Sequence, residues 1–234
     1  MSQQSKTDKD IASKANPISY YHPGVNPIKM QLLTKYINYG SILDVGCGNG
    51  LYTFNLQNIC SNILQIDLVD RRNEQARELP FKSINAEYLS SIEGTFDNII
   101  AFDIIEHLND DSKYLKSAYN LLNQGGKLFV SVPNEDNSIL EKLDLAHIHF
   151  TDKTHCREYS AKSLKSKIEE SGFAVIEIVP HVNKSILSFP KILEKNTLLS
   201  RIIAKLISYQ IRILEKLGIF ENKVVADWFL VAIK

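Results

Sequence analysis

Residues 42–50 read Ile42-Leu43-Asp44-Val45-Gly46-Cys47-Gly48-Asn49-Gly50. The first four make a short, mostly apolar strand, the three glycines a tight loop, and residues from Gly50 to about Ile59 a helix. A strand that runs through a glycine loop into a helix is a ligand-binding unit of open α/β sheets. Bare backbone lets a ligand come close to free N–H groups. The third glycine falls one position too early for the dinucleotide pattern G-x-G-x-x-G, and residue 51 is Leu. The G-K-[ST] ending of a phosphate loop is also absent.

The same alternation continues outward from this unit. Asn26-Pro27 is an N-cap followed by proline at the first helical position, with Ile28, Leu32, Leu33, Tyr36 and Ile37 at helical spacing. Strands are expected at 63–66, 96–102, 127–132, 173–179 and 227–233. Helices are expected around 71–78, 111–122 and 161–171, the last closed by Gly172. Strands alternating with helices imply β-α-β units, a mostly parallel sheet and helices on both faces, the α/β doubly wound class.

The chain has 234 residues, 44% of them hydrophobic and 23% charged, an ordinary globular composition. Lys+Arg 27 balances Asp+Glu 27, so no net charge favours a nucleic-acid backbone, and a DNA partner is not expected. Cys47, Cys60 and Cys156 are too few and too scattered for a disulfide framework. The N-terminus is polar, with no secretory pattern, and no run of 18 apolar residues occurs. These features lead us to expect a soluble, cytoplasmic protein. Residues 1–16 are expected to be a disordered tail, and 17–234 a single domain carrying a helical insertion at about 184–222.

Within that insertion, Thr197–Leu217 is amphipathic. At 100° per residue from Arg201, Lys205, Arg212 and Lys216 fall at about 40°, 20° and 60°, while Leu199, Ile202, Ile203, Leu206, Ile213, Leu214 and Leu217 fall between about 100° and 220°. A packed helix with a solvated basic face, a dimer contact and a helix lying on an anionic membrane are all open readings, so peripheral membrane contact through 197–217 is one expectation.

Taken in order, several segments resemble the class I S-adenosylmethionine-dependent methyltransferases over Ile42 to Phe173. The acid–apolar–G-x-G-x-G loop resembles their first motif. Phe96-Asp97 through Asp103-Ile104-Ile105-Glu106-His107-Leu108 resembles their "FD…D-x-x-E-H" segment, and Gly125-Gly126 through Pro133-Asn134 their "GG…PN" strand. The "E-H" segment and the run His149-Phe150-Thr151…Gly172-Phe173 resemble the small-molecule branch, which includes ubiquinone-pathway enzymes. The resemblance implies a Rossmann-like doubly wound sheet of about seven strands, mostly parallel with an antiparallel last strand. It implies S-adenosyl-L-methionine as cofactor, held by Asp44, Gly46, Cys47, Gly48, Gly50, Asp67, Leu68, Asn85, Ala86, Phe102 and Asp103. Asp67 stands where the family binds the ribose hydroxyls, with Asp70 the competing residue. Asn85-Ala86 stands where the family contacts adenine, with Asn in place of the usual Asp. Cys47 is read as a small packing residue.

A methyl group on a sulfonium is already activated, so the protein's tasks are alignment and, for a hydroxyl acceptor, proton removal. Histidine is the usual base near neutral pH. His107, His149 and His155 are the candidates, the last two within the stretch 147–159. The spacing H-x-H-x₅-H-C matches no standard zinc pattern, and no resident metal is expected. Arg157 is a candidate for an anionic substrate group, and Tyr20, Tyr21 and His22 for a lid. No [DNS]-P-P-[FYW] follows the fourth strand, which argues against methylation of nucleobase amines. The expectation is methyl transfer to a small molecule, at an oxygen of a phenol, sugar or lipid-linked compound, by a monomer or homodimer. The alternatives are an RNA or protein methyltransferase of the same fold and a non-catalytic cofactor-binding module.

Overall fold

A computed structural model describes residues 24–134, 144–147, 152–182, 187–195, 197–217 and 225–234. The N-terminal tail, the Tyr20–His22 segment and His149 lie outside them.

The main sheet has seven strands: β1 (Ser41–Val45), β2 (Asn62–Asp67), β3 (Phe81–Ser83), β4 (Phe96–Phe102), β5 (Leu122–Pro133), β7 (Ala174–Val182) and β9 (Val225–Ile233). Their order is β3-β2-β1-β4-β5-β9-β7. Pairings from β3 to β5 are parallel, whereas β9 runs antiparallel to both β5 and β7. The antiparallel last strand agrees with the expected architecture. β6 (Ala146–His147) and β8 (Leu187–Ser188) form a separate two-stranded ribbon.

Successive strand residues point to opposite faces, and the buried side chains divide accordingly. Leu43, Ile99, Leu128, Val130 and Leu230 join a core with Tyr114, Leu115 and Ala118 of α3 (Asp111–Leu121) and Leu164 and Ile168 of α4 (Ala161–Glu170). Ile42, Ile100, Phe129, Phe229 and Val231 join a second core with Leu32 and Leu33 of α1 (Pro27–Tyr36). Both faces are covered, as a near-continuous apolar strand pattern requires. Asn26 caps α1, its Oδ1 accepting the N–H groups of Ile28 and Lys29 at 2.9 and 3.3 Å.

Two expected helices are shorter than their patterns suggest. The helix after the glycine loop is one turn, α2 (Leu51–Phe54). Asn55 donates from its side chain to the Leu51 carbonyl at 2.7 Å, a local bond that competes with helix continuation. The stretch around 71–78 holds only a 3₁₀ turn at Gln75–Glu78. There the Arg72 guanidinium donates to the carbonyls of Ala76 and Leu79, taking groups a longer helix would use. β3, three residues long, is absent from the sequence pattern.

The insertion between β7 and β9 contains α5 (Pro190–Lys195) and α6 (Leu198–Lys216), with α6 packed on β8 and α5. Its helical character agrees with the sequence reading. No helix among the described residues is long and apolar enough to cross a membrane.

Candidate active site

The strand order reverses between β1 and β4, and the crevice at their carboxyl ends is where open α/β sheets bind ligands. The glycine loop opens there. Gly46, Gly48 and Gly50 all have positive φ (67°, 54° and 71°). The N–H groups of Gly46 and Cys47 both donate to the Ile66 carbonyl, tying the loop to β2. Asp67, the last residue of β2, accepts the Gly48 N–H at 2.9 Å and its neighbour Leu68 N–H at 2.7 Å. Asp70 instead forks onto Arg72, at 2.9 and 3.0 Å, so of the two acids it is Asp67 that sits on the loop. With only one helical turn behind the loop, its exposed backbone, rather than a helix terminus, faces the crevice.

Asp44 is buried under this loop and accepts the Thr53 hydroxyl at 2.8 Å. Burial pushes its carboxyl up to about 7, with the Asp67 charge adding to the effect. Burial also raises the Cys47 thiol, so Cys47 is a packing residue with no thiolate chemistry. Asn85 caps the following 3₁₀ turn, accepting the Glu87 N–H at 3.0 Å, and Ala86 packs on the core.

The end of β4 carries the second half of the site. Asp103 has φ +57°, unusual for a side chain, and is held by its contacts. Its carboxylate accepts Lys29 Nζ at 2.5 Å and the Ser131 hydroxyl at 2.6 Å. Burial alone would raise this carboxyl, but the Lys29 ammonium and these bonds hold it low. Lys29 is itself buried and lies over the rings of Phe102 and Phe229; desolvation opposes its charge, but Asp103, Tyr52 and Asp227 together hold its ammonium above the ordinary lysine range. Asp227 of β9 lies within electrostatic reach of both and pairs with His181 at 2.8 Å.

Beyond Asp103, a 3₁₀ turn (Ile105–His107) meets the segment Asp152–Tyr159. The Cys156 N–H donates to the Glu106 carbonyl at 2.8 Å. His107 Nδ1 lies 2.8 Å from Thr154 Oγ1, and Thr154 donates its hydroxyl proton to Asp152 at 2.6 Å. With that proton committed, Thr154 can only accept from Nδ1–H, so the lone pair of His107 is on Nε2. The His155 ring lies edge-on to His107, centroids 4.7 Å apart. Burial, then the neighbouring His107, pushes His155 down to about 4, so it is neutral at physiological pH. Glu106 is fully buried, and neither carboxylate oxygen has a hydrogen-bond partner among the described residues. Burial, and then the nearby Asp103 charge, push its carboxyl well above the usual carboxylate range. Glu106, His107 and His155 offer donor atoms all within 4.8 Å of one another. Two imidazoles and a carboxylate are a set a divalent cation can take.

The sequence-predicted residues thus gather in part. The glycines, Asp67, Leu68, Phe102 and Asp103 lie at the carboxyl ends of the neighbouring strands β1, β2 and β4, Asp44 is buried beneath the loop, and His107 and His155 are adjacent. Arg157 is committed elsewhere. Its guanidinium lies 2.7 Å from Asp111 and donates to the Asn109 carbonyl, inside a cluster with Tyr159 and Lys167. The Pro133-Asn134 segment is structural as well, Asn134 accepting the Trp228 indole N–H at 2.6 Å. Lys29, Thr154 and Asp227 escaped the sequence reading, while Glu106 and Asp152 lay in segments it singled out but received no role. A lysine in an amphipathic helix and an acid in a late strand carry no local signal of convergence.

A seven-stranded sheet of this order, with a glycine loop and an acidic strand end at its switch point, defines the class I methyltransferase architecture. The chain belongs to the methyltransferase domain family, whose profile matches residues 20–178. It is similar to the ubiquinone biosynthesis O-methyltransferases of Xanthomonas euvesicatoria (28% identical over 121 residues, 47% of this chain and 51% of that protein) and Xylella fastidiosa (31%, 47% and 49%). The match spans about half the length of these curated relatives. Among solved structures, the fold resembles the N-methyltransferase NodS of Bradyrhizobium japonicum bound to S-adenosyl-L-homocysteine (TM-score 0.59, 13% identity, 97% and 98% coverage). It also resembles the 1,6-didemethyltoxoflavin-N1-methyltransferase of Burkholderia thailandensis (TM-score 0.57, 16% identity, 89% and 77%).

Proposed function

We propose that this chain transfers a methyl group from S-adenosyl-L-methionine to a hydroxyl oxygen of a small phenolic acceptor, with His107 as general base. The observation that carries the reading is the Asp152–Thr154–His107 chain, which leaves Nε2 as the proton-accepting nitrogen near the carboxyl end of β4. The O-methyltransferase relatives support oxygen as the acceptor atom.

The residues suit the cofactor. A Cβ at Gly48 would meet nothing among the described residues within 4 Å, so they leave space open before the loop. Asp67 borders that space and suits a pair of ribose hydroxyls. Asn85 and Ala86 are assigned to adenine, Asp44, Gly46, Cys47, Gly50 and Leu68 to the walls, and Phe102 and Asp103 to the reacting end. The bound cofactor supplies an activated methyl group. The chain's own residues orient the acceptor and take its proton on His107. The Asp103 carboxylate lies within electrostatic reach and stabilises the resulting imidazolium. His155, kept neutral, adds no competing positive charge.

The test has two steps. Calorimetry with S-adenosyl-L-methionine and S-adenosyl-L-homocysteine should give binding in the micromolar range. Labelled-methyl transfer to a panel of catechols should then proceed in wild type and fall about 10²–10⁴-fold in kcat for His107→Gln, with cofactor affinity unchanged. Absence of cofactor binding by folded protein would end the methyltransferase reading. Binding without turnover on any acceptor would point to a binding module, and full activity in His107→Gln would remove His107 as base.

A further inference from the structure

Helix α6 is inside out for a packed helix. At 100° per residue, its buried positions Ser200, Ala204, Ser208 and Ile211 fall in one arc about 80° wide, on a helix that packs against β8 and α5. Diametrically opposite lie Leu199, Ile202, Leu206, Tyr209, Ile213 and Leu217, which are 41 to 69% exposed. Three small or hydroxyl side chains and one isoleucine therefore make the intramolecular contact, and six large apolar or aromatic ones point outward. A continuous outward apolar stripe of this length marks an interaction surface.

The flank of the stripe is basic. Lys205 and Lys216 are exposed along one edge, about 60–80° from the centre of the apolar arc, and Lys191 and Lys195 are exposed on adjoining α5. This local charge stands out in a chain whose net charge is zero. An apolar face edged by lysines matches an anionic bilayer surface, with acyl chains under the face and headgroups at the edge. A second copy of the chain fits less well. An antiparallel two-fold pairing of α6 would bring the two lysine edges to the same side, like charge against like.

We propose that α6 is a peripheral anchor that lies in the plane of an anionic membrane. The insertion leaves β7 after Val182 and returns into β9 at Val225, beside His181 and Asp227. It therefore emerges at the sheet edge that carries Asp103, so the anchored face sits on the side from which an amphiphilic acceptor would enter. Membrane binding itself is independent of the methyltransferase reading, and only this last step, the delivery of an acceptor, rests on it.

Vesicle flotation tests the anchor with the full chain. Wild type should float with phosphatidylcholine vesicles containing a quarter phosphatidylglycerol, stay down with pure phosphatidylcholine, and be released at high salt. Lys205→Glu with Lys216→Glu should weaken partitioning at least about tenfold. Leu206→Ser with Ile213→Ser should weaken it comparably. All four positions are exposed, so thermal melting should match wild type and separate lost binding from lost folding. A wild type that fails to float overturns the proposal. So does flotation unaffected by either pair. A concentration-dependent dimer in sedimentation, dissolved by Leu206→Ser with Ile213→Ser, would assign the face to self-association instead. A variant that loses flotation but keeps cofactor binding separates failure of the anchor from failure of the methyltransferase reading.

Discussion

Gly48 and Gly50 differ by two positions and should respond to alanine in opposite ways. Both have left-handed backbone, so alanine costs about 1–2 kcal/mol at either through the Cβ–carbonyl clash. At Gly48 that is the whole cost, because a Cβ there meets no atom of the described residues within 4 Å. At Gly50 the Cβ would lie 2.7 Å from Ala76 Cβ and 2.8 Å from Gln65 Nε2. Gln65 cannot swing away freely, since it donates to Gly50 O and Thr53 Oγ1 and accepts from Arg72. Overpacking adds about 1–3 kcal/mol, so Gly50→Ala should cost about 2–5 kcal/mol. At this chain length each kcal/mol lowers Tm by about 2–4 °C. The ligand response should run the other way. The open space at Gly48 is where a cofactor would lie, and a methyl group there should weaken S-adenosyl-L-homocysteine at least about 100-fold, about 2.7 kcal/mol. Thermal melts with and without that ligand read both effects. Gly48→Ala should melt within a few degrees of wild type and lose the ligand-induced rise, whereas Gly50→Ala should melt much lower. A Gly48→Ala protein that keeps the rise, or a Gly50→Ala protein as stable as Gly48→Ala, would refute the assignment of open space to the ligand.

Other consequences follow from the buried charges. The Asp44 carboxyl is raised in the folded state from its ordinary 3.8 to about 7, so the folded protein holds that proton more tightly. The associated stability is present at pH 4 and lost as pH rises towards 7, about 4 kcal/mol at most. Urea unfolding at pH 5 and pH 8 should show Asp44→Asn with a flatter pH dependence than wild type. Lys29→Met strands Asp103, which should cost about 2–3 kcal/mol, the low side for a broken buried pair because the Asp103 side chain is 38% exposed. Adding Asp103→Asn should recover much of it, and strict additivity in the double-mutant cycle would count against the pair. Contacts with Arg157, Tyr159 and Lys167 hold the Asp111 carboxyl down at about 2 against its burial. That stability is present above pH 4 and lost as pH falls towards 2, so Arg157→Ala should raise the midpoint of acid unfolding. It should leave acceptor KM unchanged, and a raised KM would return Arg157 to the substrate site.

Local pattern was enough for much of the frame. The apolar runs at 42–45 and 96–102 are short and bounded as strands are, and the run 227–233 pairs in a register that keeps its alternate residues in the two cores. The glycine loop was legible because three glycines two residues apart have few uses other than positive φ. Helix lengths were less legible at 50–59 and 71–78, where side-chain bonds to backbone carbonyls from Asn55 and Arg72 cut the helices short. Such bonds depend on partners whose positions a periodicity count does not contain.

The amino-acid sequence by itself determined the sheet class, the glycine loop flanked by Asp44 and Asp67, and the presence of a histidine after the fourth strand. These rest on short-range rules: two-residue alternation, turn stereochemistry and side-chain chemistry. Tertiary structure decided which charges meet. It brought Lys29 from the first helix onto Asp103, set the buried Glu106 beside the His107–His155 pair, took Arg157 away to Asp111, and turned the apolar face of α6 outward. Each is a contact, or a missing contact, between segments 40 or more residues apart in the chain or on opposite faces of one helix. Their energies depend on burial and distance, which exist only once the chain has folded.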